Sequence, residues 1–181
     1  MSSVRYALVA YIKSPVTGFV ENLRRQLHPN LPQHAAHLTL LPPRPLRGTE
    51  SEALHLLEQV CGSVEPFELT LGEMQSFAPT TPTVYIGVSQ GASRMEELHR
   101  RLNQQMLAFP EEWAYVPHLT IAKMKNERDA AEAVETARQC WRNYTGSRRI
   151  LLDRLTFVRE DAPERWVDLA PVPLGDSLVS H

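Results

Sequence analysis

The spacing of apolar positions along this chain changes in a regular order, and that order predicts the elements. Residues 5–12 (RYALVAYI) are dense in Val, Ile and Tyr, as a strand is. Ser14-Pro15 then opens a helix, with Ser as cap and Pro in the first turn. Val16, Phe19, Val20, Leu23 and Leu27 form its apolar stripe, and residues 29–32, a proline at each end, close it. Residues 37–41 (HLTLL) read as a second strand, stopped by Pro42-Pro43. Thr49 to Glu52 (TESE) is a capping box for a helix striped by Ala53, Leu54, Leu57 and Cys61. Residues 67–74 alternate as a half-buried strand, and 78–82 (APTTP) is the clearest turn. Beyond it the order repeats: a strand at 83–88, a helix marked by Met95, Leu98, Leu102 and Met106, and a strand at 118–121 (HLTI). A cap at residues 126–129 precedes a helix striped by Ala130, Ala133, Val134, Ala137 and Trp141, and two strands, 150–158 and 166–172, end the chain.

Each half therefore reads strand, helix, His-containing strand, helix, strand. Tyr6 to His37 is 31 positions and Tyr85 to His118 is 33; Cys61 follows His37 by 24, and Cys140 follows His118 by 22. A period of about 80 residues is too long for a solenoid built of roughly 20–50-residue units. It predicts one domain over 1–181 made of two lobes, approximately 1–78 and 79–181, between which strands can exchange. A pseudo-twofold axis would relate the lobes, with the His strands facing each other across it.

Composition narrows the setting. With 43% apolar and 22% charged residues the chain matches ordinary soluble domains. No apolar run approaches the roughly 20 residues of a membrane span, and the N-terminus lacks the pattern of a signal peptide. Two cysteines exclude a disulfide scaffold and fit a reducing cytoplasm, so the expectation is a cytoplasmic, monomeric protein with no membrane partner. The 19 Lys+Arg against 21 Asp+Glu, net −2, argue against coating long nucleic acid by bulk charge. A local pocket for a small or terminal ligand remains open.

The sharpest feature is the pair His37-Leu38-Thr39-Leu40 and His118-Leu119-Thr120-Ile121. With 7 His and 11 Thr in the chain, roughly 0.4 His-x-Thr triplets arise by chance, so two in matching places are a signal. In a strand, residues i and i+2 share a face, so His and Thr point one way and the aliphatic pair the other. A face carrying an imidazole and a hydroxyl suits a phosphoryl group: Thr donates to its oxygens, and His moves a proton near neutral pH. Two such faces supply the base and the acid that in-line displacement at phosphorus needs on opposite sides, without a metal.

These two tetrapeptides resemble the His-x-Thr/Ser-x signatures of the 2H phosphoesterase superfamily, which includes 2′-5′ RNA ligase-like proteins and cyclic nucleotide phosphodiesterases. The resemblance covers essentially the whole chain. It implies a bilobal α+β fold, each lobe an antiparallel sheet with helices outside, around a central cleft lined by both histidines. It also implies metal- and cofactor-independent opening of a 2′,3′-cyclic phosphate to a 2′-phosphate, on a nucleotide or an RNA end. On that resemblance His37 and His118 are the acid and base, and Thr39 and Thr120 hold the phosphate. Lys123 stands where the family often has a basic residue, and Tyr115-Val116-Pro117-His118 is similar to its aromatic-x-Pro-His lead-in. Pro42-Pro43-Arg44-Pro45 departs from the ligase pattern of an aromatic followed by Leu-Gly, and is closer to small bacterial relatives.

Other residues are candidates for binding substrate. Tyr85 and Tyr115 could stack a base or serve as core, Phe77 could line the cleft, and Arg44 and Lys123 could meet a phosphate or be solvated charges. His28, His34, His55, His99 and His181 take structural readings. Neither cysteine lies near another ligand at zinc-finger spacing, so no metal is expected. Two rivals remain: a non-catalytic module that binds nucleotides or RNA ends, and an ATP-independent 2′-5′ RNA ligase.

Overall fold

A computed structural model describes residues 4–28 and 35–175. The helix stop at 29–32 and the histidines His34 and His181 lie outside the described residues. The chain runs β1 (Arg5–Tyr11), α1 (Val16–Leu27), β2 (His37–Arg44), α2 (Glu50–Gly62), β3 (Phe67–Ser76), β4 (Thr83–Gln90), α3 (Ala92–Leu102), a 3-10 turn (Gln105–Leu107), β5 (His118–Lys123), α4 (Glu127–Asn143), β6 (Arg149–Leu152), β7 (Arg154–Ala162) and β8 (Arg165–Pro173). The class is α+β. No helix among the described residues is long and apolar enough to cross a membrane.

All eight strands join one antiparallel sheet in the order β6-β3-β4-β5-β2-β1-β7-β8. The two His strands are its central pair. They meet at a single register pair, Leu38 with Leu119, whereas each pairs at length with its outer neighbour. Sheet halves do not follow sequence halves: β3 pairs with β4, while β7 and β8 lie beyond β1. Only Asp153 separates β6 from β7, yet these strands stand near opposite ends of the sheet. Two residues span about 7 Å at most, so the sheet must curl until its ends approach.

The helices pack on one face. Val16, Val20 and Leu23 of α1, Ala53, Leu57 and Cys61 of α2, Met95, Leu98 and Leu102 of α3, and Ala133, Ala137 and Trp141 of α4 bury with Leu38, Leu40, Leu119 and Ile121 in one core. Thr49 and Glu52 form the predicted capping box, and Asn126 accepts from the Asp129 amide at 2.8 Å.

Four expectations need correction. The helix marked by Met95, Leu98, Leu102 and Met106 ends at Leu102, and Met106 lies in the 3-10 turn that follows. Ser14 does not cap α1 with its side chain; Pro15 is the cap residue, and the Thr17 hydroxyl closes the turn by accepting from the Ser14 amide at 3.1 Å. Pro42 and Pro43 do not stop β2, which runs through to Arg44. Pairing with β5 ends at Leu38, so no neighbour on that side asks these residues for an N–H. The strand expected at 150–158 is two strands, because Asp153 turns the chain from β3 at one end of the sheet to β1 near the other.

Candidate active site

His37 and Thr39 on β2, and His118 and Thr120 on β5, are half-buried, whereas Leu38, Leu40, Leu119 and Ile121 between them are fully buried. The aliphatic residues therefore face the helices, and both His-Thr pairs face away from them. The register fixes their mutual arrangement. The Leu38–Leu119 pair is the one register point between β2 and β5, and it brings His37 and Thr39 to the same stretch of the sheet face as His118 and Thr120. The two histidines therefore flank this register point from adjacent strands on one face.

Both rings are oriented by the same device. The Nδ1–H of His37 donates to the Ala35 carbonyl at 2.9 Å, and that of His118 donates to the Val116 carbonyl at 2.6 Å. A carbonyl only accepts, so each Nδ1 carries the proton and each Nε2 is the nitrogen that gains or loses one. Burial lowers the His118 pKa below its ordinary value; the bond to Val116 opposes this, and the nearby Lys123 charge adds to it.

Lys123 reaches this face through a bulge. Tyr85 pairs with Thr120 and Val84 with Ala122, so Ile121 is an extra residue, and Ile121 and Ala122 are both buried. Strict alternation would have turned Lys123 to the core; the bulge returns it, exposed, to the face of His118 and Thr120. The same bulge recurs in β2, where Val9 pairs with Thr39 and Leu8 with Leu41, so that Leu40 is extra. It places Pro42 where the other strand has Lys123.

Phe77 and Tyr85 also lie at the site. Their rings stack at 3.9 Å, and they meet the His118 ring edge-on at 5.0 and 5.5 Å. The Tyr85 hydroxyl donates to Gln75 at 3.2 Å. Four further residues that the sequence reading did not single out complete the surround. Tyr11 pairs with His37 across the strands, approaches its ring edge-on at 6.2 Å and donates to Asp168 at 2.6 Å. Gly87 pairs with His118, and a Cβ there would come within 3.3 Å of the Gln75 amide. Tyr11 was within reach of strand alternation once its partner strand is known. Asp168, Gln75 and Gly87 depend on pairings that no local pattern carries.

Two expected substrate contacts are elsewhere. Arg44 is 1% exposed, pairs with Glu111 and donates to the Asn103 side chain at 2.6 Å and the Leu107 carbonyl at 3.0 Å. A buried guanidinium is retained only when so paired. Tyr115 stacks flat on His99 at 4.0 Å and donates its hydroxyl to the Thr39 carbonyl at 2.7 Å. Burial holds that hydroxyl far above the ordinary tyrosine range, so it remains a donor. Arg44 is thus buried away from any phosphate, and the Tyr115 ring is taken up by His99. Among the described residues no three His, Cys, Asp or Glu gather as metal ligands do.

A family model described as the 2'-5' RNA ligase superfamily matches residues 12–164. A Bacillus pumilus protein named "Putative phosphoesterase" is 26% identical over 134 residues, 74% of this chain and 78% of the relative. A protein of the same name from Geobacillus thermodenitrificans is 25% identical over 128 residues, 66% of this chain and 69% of its own. Among solved structures, E. coli LigT complexed with 3'-AMP superposes with a TM-score of 0.64 at 18% identity, over 96% of this chain and 99% of that one. The Thermus thermophilus protein TT0787 gives 0.66 at 18% identity, over 95% and 99%. At these identities the structural likeness speaks for the fold.

Proposed function

This chain belongs to the 2'-5' RNA ligase superfamily, and from that premise we propose that it is a phosphoesterase that opens a 2′,3′-cyclic phosphate, on a nucleotide or an RNA end, to a 2′-phosphate. The observation that carries the reading is the matched pair of imidazoles on one sheet face. Each has its Nδ1 proton committed to a carbonyl two residues earlier, and each shares its face with the threonine two residues on.

With a cyclic phosphate between them, one Nε2 takes the proton of the attacking water while the other protonates the departing 3′ oxygen. The bond from phosphorus to the water oxygen forms, the bond to O3′ breaks, and a 2′-monoester remains. Burial favours the neutral form of His118, which suits it to act as the base. His37 is then the acid. Thr39 and Thr120 donate to the non-bridging oxygens, whose charge grows in the transition state. Phe77, edge-on to His118, gives an apolar wall beside the ribose or base. The nucleotide and phosphate complexes described for E. coli LigT support a ligand of this chemistry.

Turnover of the four nucleoside 2′,3′-cyclic phosphates in EDTA tests the proposal. His37→Ala and His118→Ala are each expected to lower kcat by at least about 100-fold, the low end for losing a general acid or base. Retained activity in both variants rejects the two-histidine mechanism. Binding of a 2′-nucleotide without turnover by the wild type would make the protein a binding module, and a 2′-5′ joined product from RNA halves would make it a ligase.

A further inference from the structure

We propose that Tyr115, backed by His99, is a positioning residue that aims the first motif from the loop leading into the second. The bulge in β2 is where the need arises. Leu40 is the extra residue there, where the regular pairing of β1 with β2 is interrupted. The Nδ1–H of His99 donates to the Leu40 carbonyl at 2.7 Å, while the Tyr115 hydroxyl takes the preceding Thr39 carbonyl at 2.7 Å. Two successive carbonyls of the motif are thus held by side chains from outside its strand. The Thr39 peptide sets where the Thr39 hydroxyl points, and that hydroxyl is the group proposed to hold the phosphate.

The clamp is itself braced. Tyr115 and His99 stack with their planes within 3° of parallel, and the second ring nitrogen of His99 meets Glu111 at 2.8 Å. The other oxygen of Glu111 holds Arg44, whose Nε donates back to the Pro42 carbonyl of the same strand at 2.9 Å. Every member of this network has a partner, the condition under which a buried polar cluster stiffens its surroundings. One loop serves both motifs: Tyr115 grips Thr39, and the carbonyl of the next residue, Val116, orients His118. A phosphate held between Thr39 and His118 therefore has both sides registered by two adjacent residues.

This inference rests on the proposed chemistry, and its test separates the two. The experiment is a double-mutant cycle of Tyr115→Phe and Thr39→Ala, read as kcat and KM on a nucleoside 2′,3′-cyclic phosphate and as affinity for inorganic phosphate, with melting temperatures alongside. Tyr115→Phe keeps the stack on His99 and removes only the donor. It should lower kcat about 10-fold, the scale of one lost hydrogen bond, with KM little changed. In the Thr39→Ala background the same substitution should have almost no effect, because the hydroxyl it aims is gone. An equal loss in both backgrounds, or no loss in either, overturns the positioning role. Phosphate affinity that follows the cycle without any turnover sustains the clamp and rejects the phosphodiesterase. A wild type that neither turns over nor binds phosphate overturns both.

Discussion

At the scale of single residues, the His-x-Thr pairs were legible because the period of a strand is enough to place them on one face. Their shared carbonyl bonds were not, since an imidazole turned back on the residue two before it leaves no sequence signature. Lys123 lay between these cases. Period-2 alternation would have buried it, and only the extra residue Ile121 explains its position beside His118. That position has a measurable effect. With His118 as base, the acidic limb of kcat/KM reports its pKa in the free enzyme, which burial and then Lys123 lower. The limb should fall below the ordinary histidine value of 6.5. Lys123→Met removes a positive charge that disfavours the imidazolium, so it should move the limb to higher pH. A limb that stays put when Lys123 is replaced shows that its charge is not felt at the base. Arg44 and Tyr115 mark the opposite case: sequence left Arg44 between a phosphate contact and a solvated charge, and Tyr115 between a base contact and core, whereas burial and partners make both of them supports.

Among elements, what local chemistry specifies was legible and what pairing specifies was not. The capping box at Thr49 is a local pattern, and it forms as read, with Thr49 accepting from the Glu52 amide at 3.1 Å and Glu52 from the Thr49 amide at 3.0 Å. Thr49→Ala should cost about 1 kcal/mol, read as a shift in the urea midpoint at constant m, while Thr49→Ser should cost much less. An unshifted midpoint in the alanine variant would mean that this end of α2 is held by its packing alone. Pro42 and Pro43 were misleading because a proline stops a strand only where a neighbour needs its N–H, and that depends on where β5 diverges from β2. The turn at Asp153 was hidden for a similar reason: residues 150–158 stay strand-like throughout, while their partners change from β3 to β1.

Across the whole molecule, the twice-repeated order of strand, helix, strand, helix, strand was visible in sequence, but the interlocking of the sheet was not. β1 and β2 draw β7 and β8 from the far end of the chain, while β3 gives its edges to β4 and β6. Residues 1–78 alone would leave β1 without β7 and β3 without either partner. Expressed separately, this piece should lack a cooperative thermal transition, and mixing with residues 79–181 should restore one in circular dichroism. A piece 1–78 that melts cooperatively by itself would place the folding unit within the sequence half. The pairing of β1 also sets a clock on biosynthesis. Leu8 lies opposite Phe157, about 150 residues later, and at roughly 5–20 residues per second the ribosome needs about 7–30 s to deliver that partner. For that interval β1 has only β2 to cover one edge, and its other edge is open. A chain cut between β5 and β7 would hold both histidine motifs and lack the strand that covers the second edge of β1.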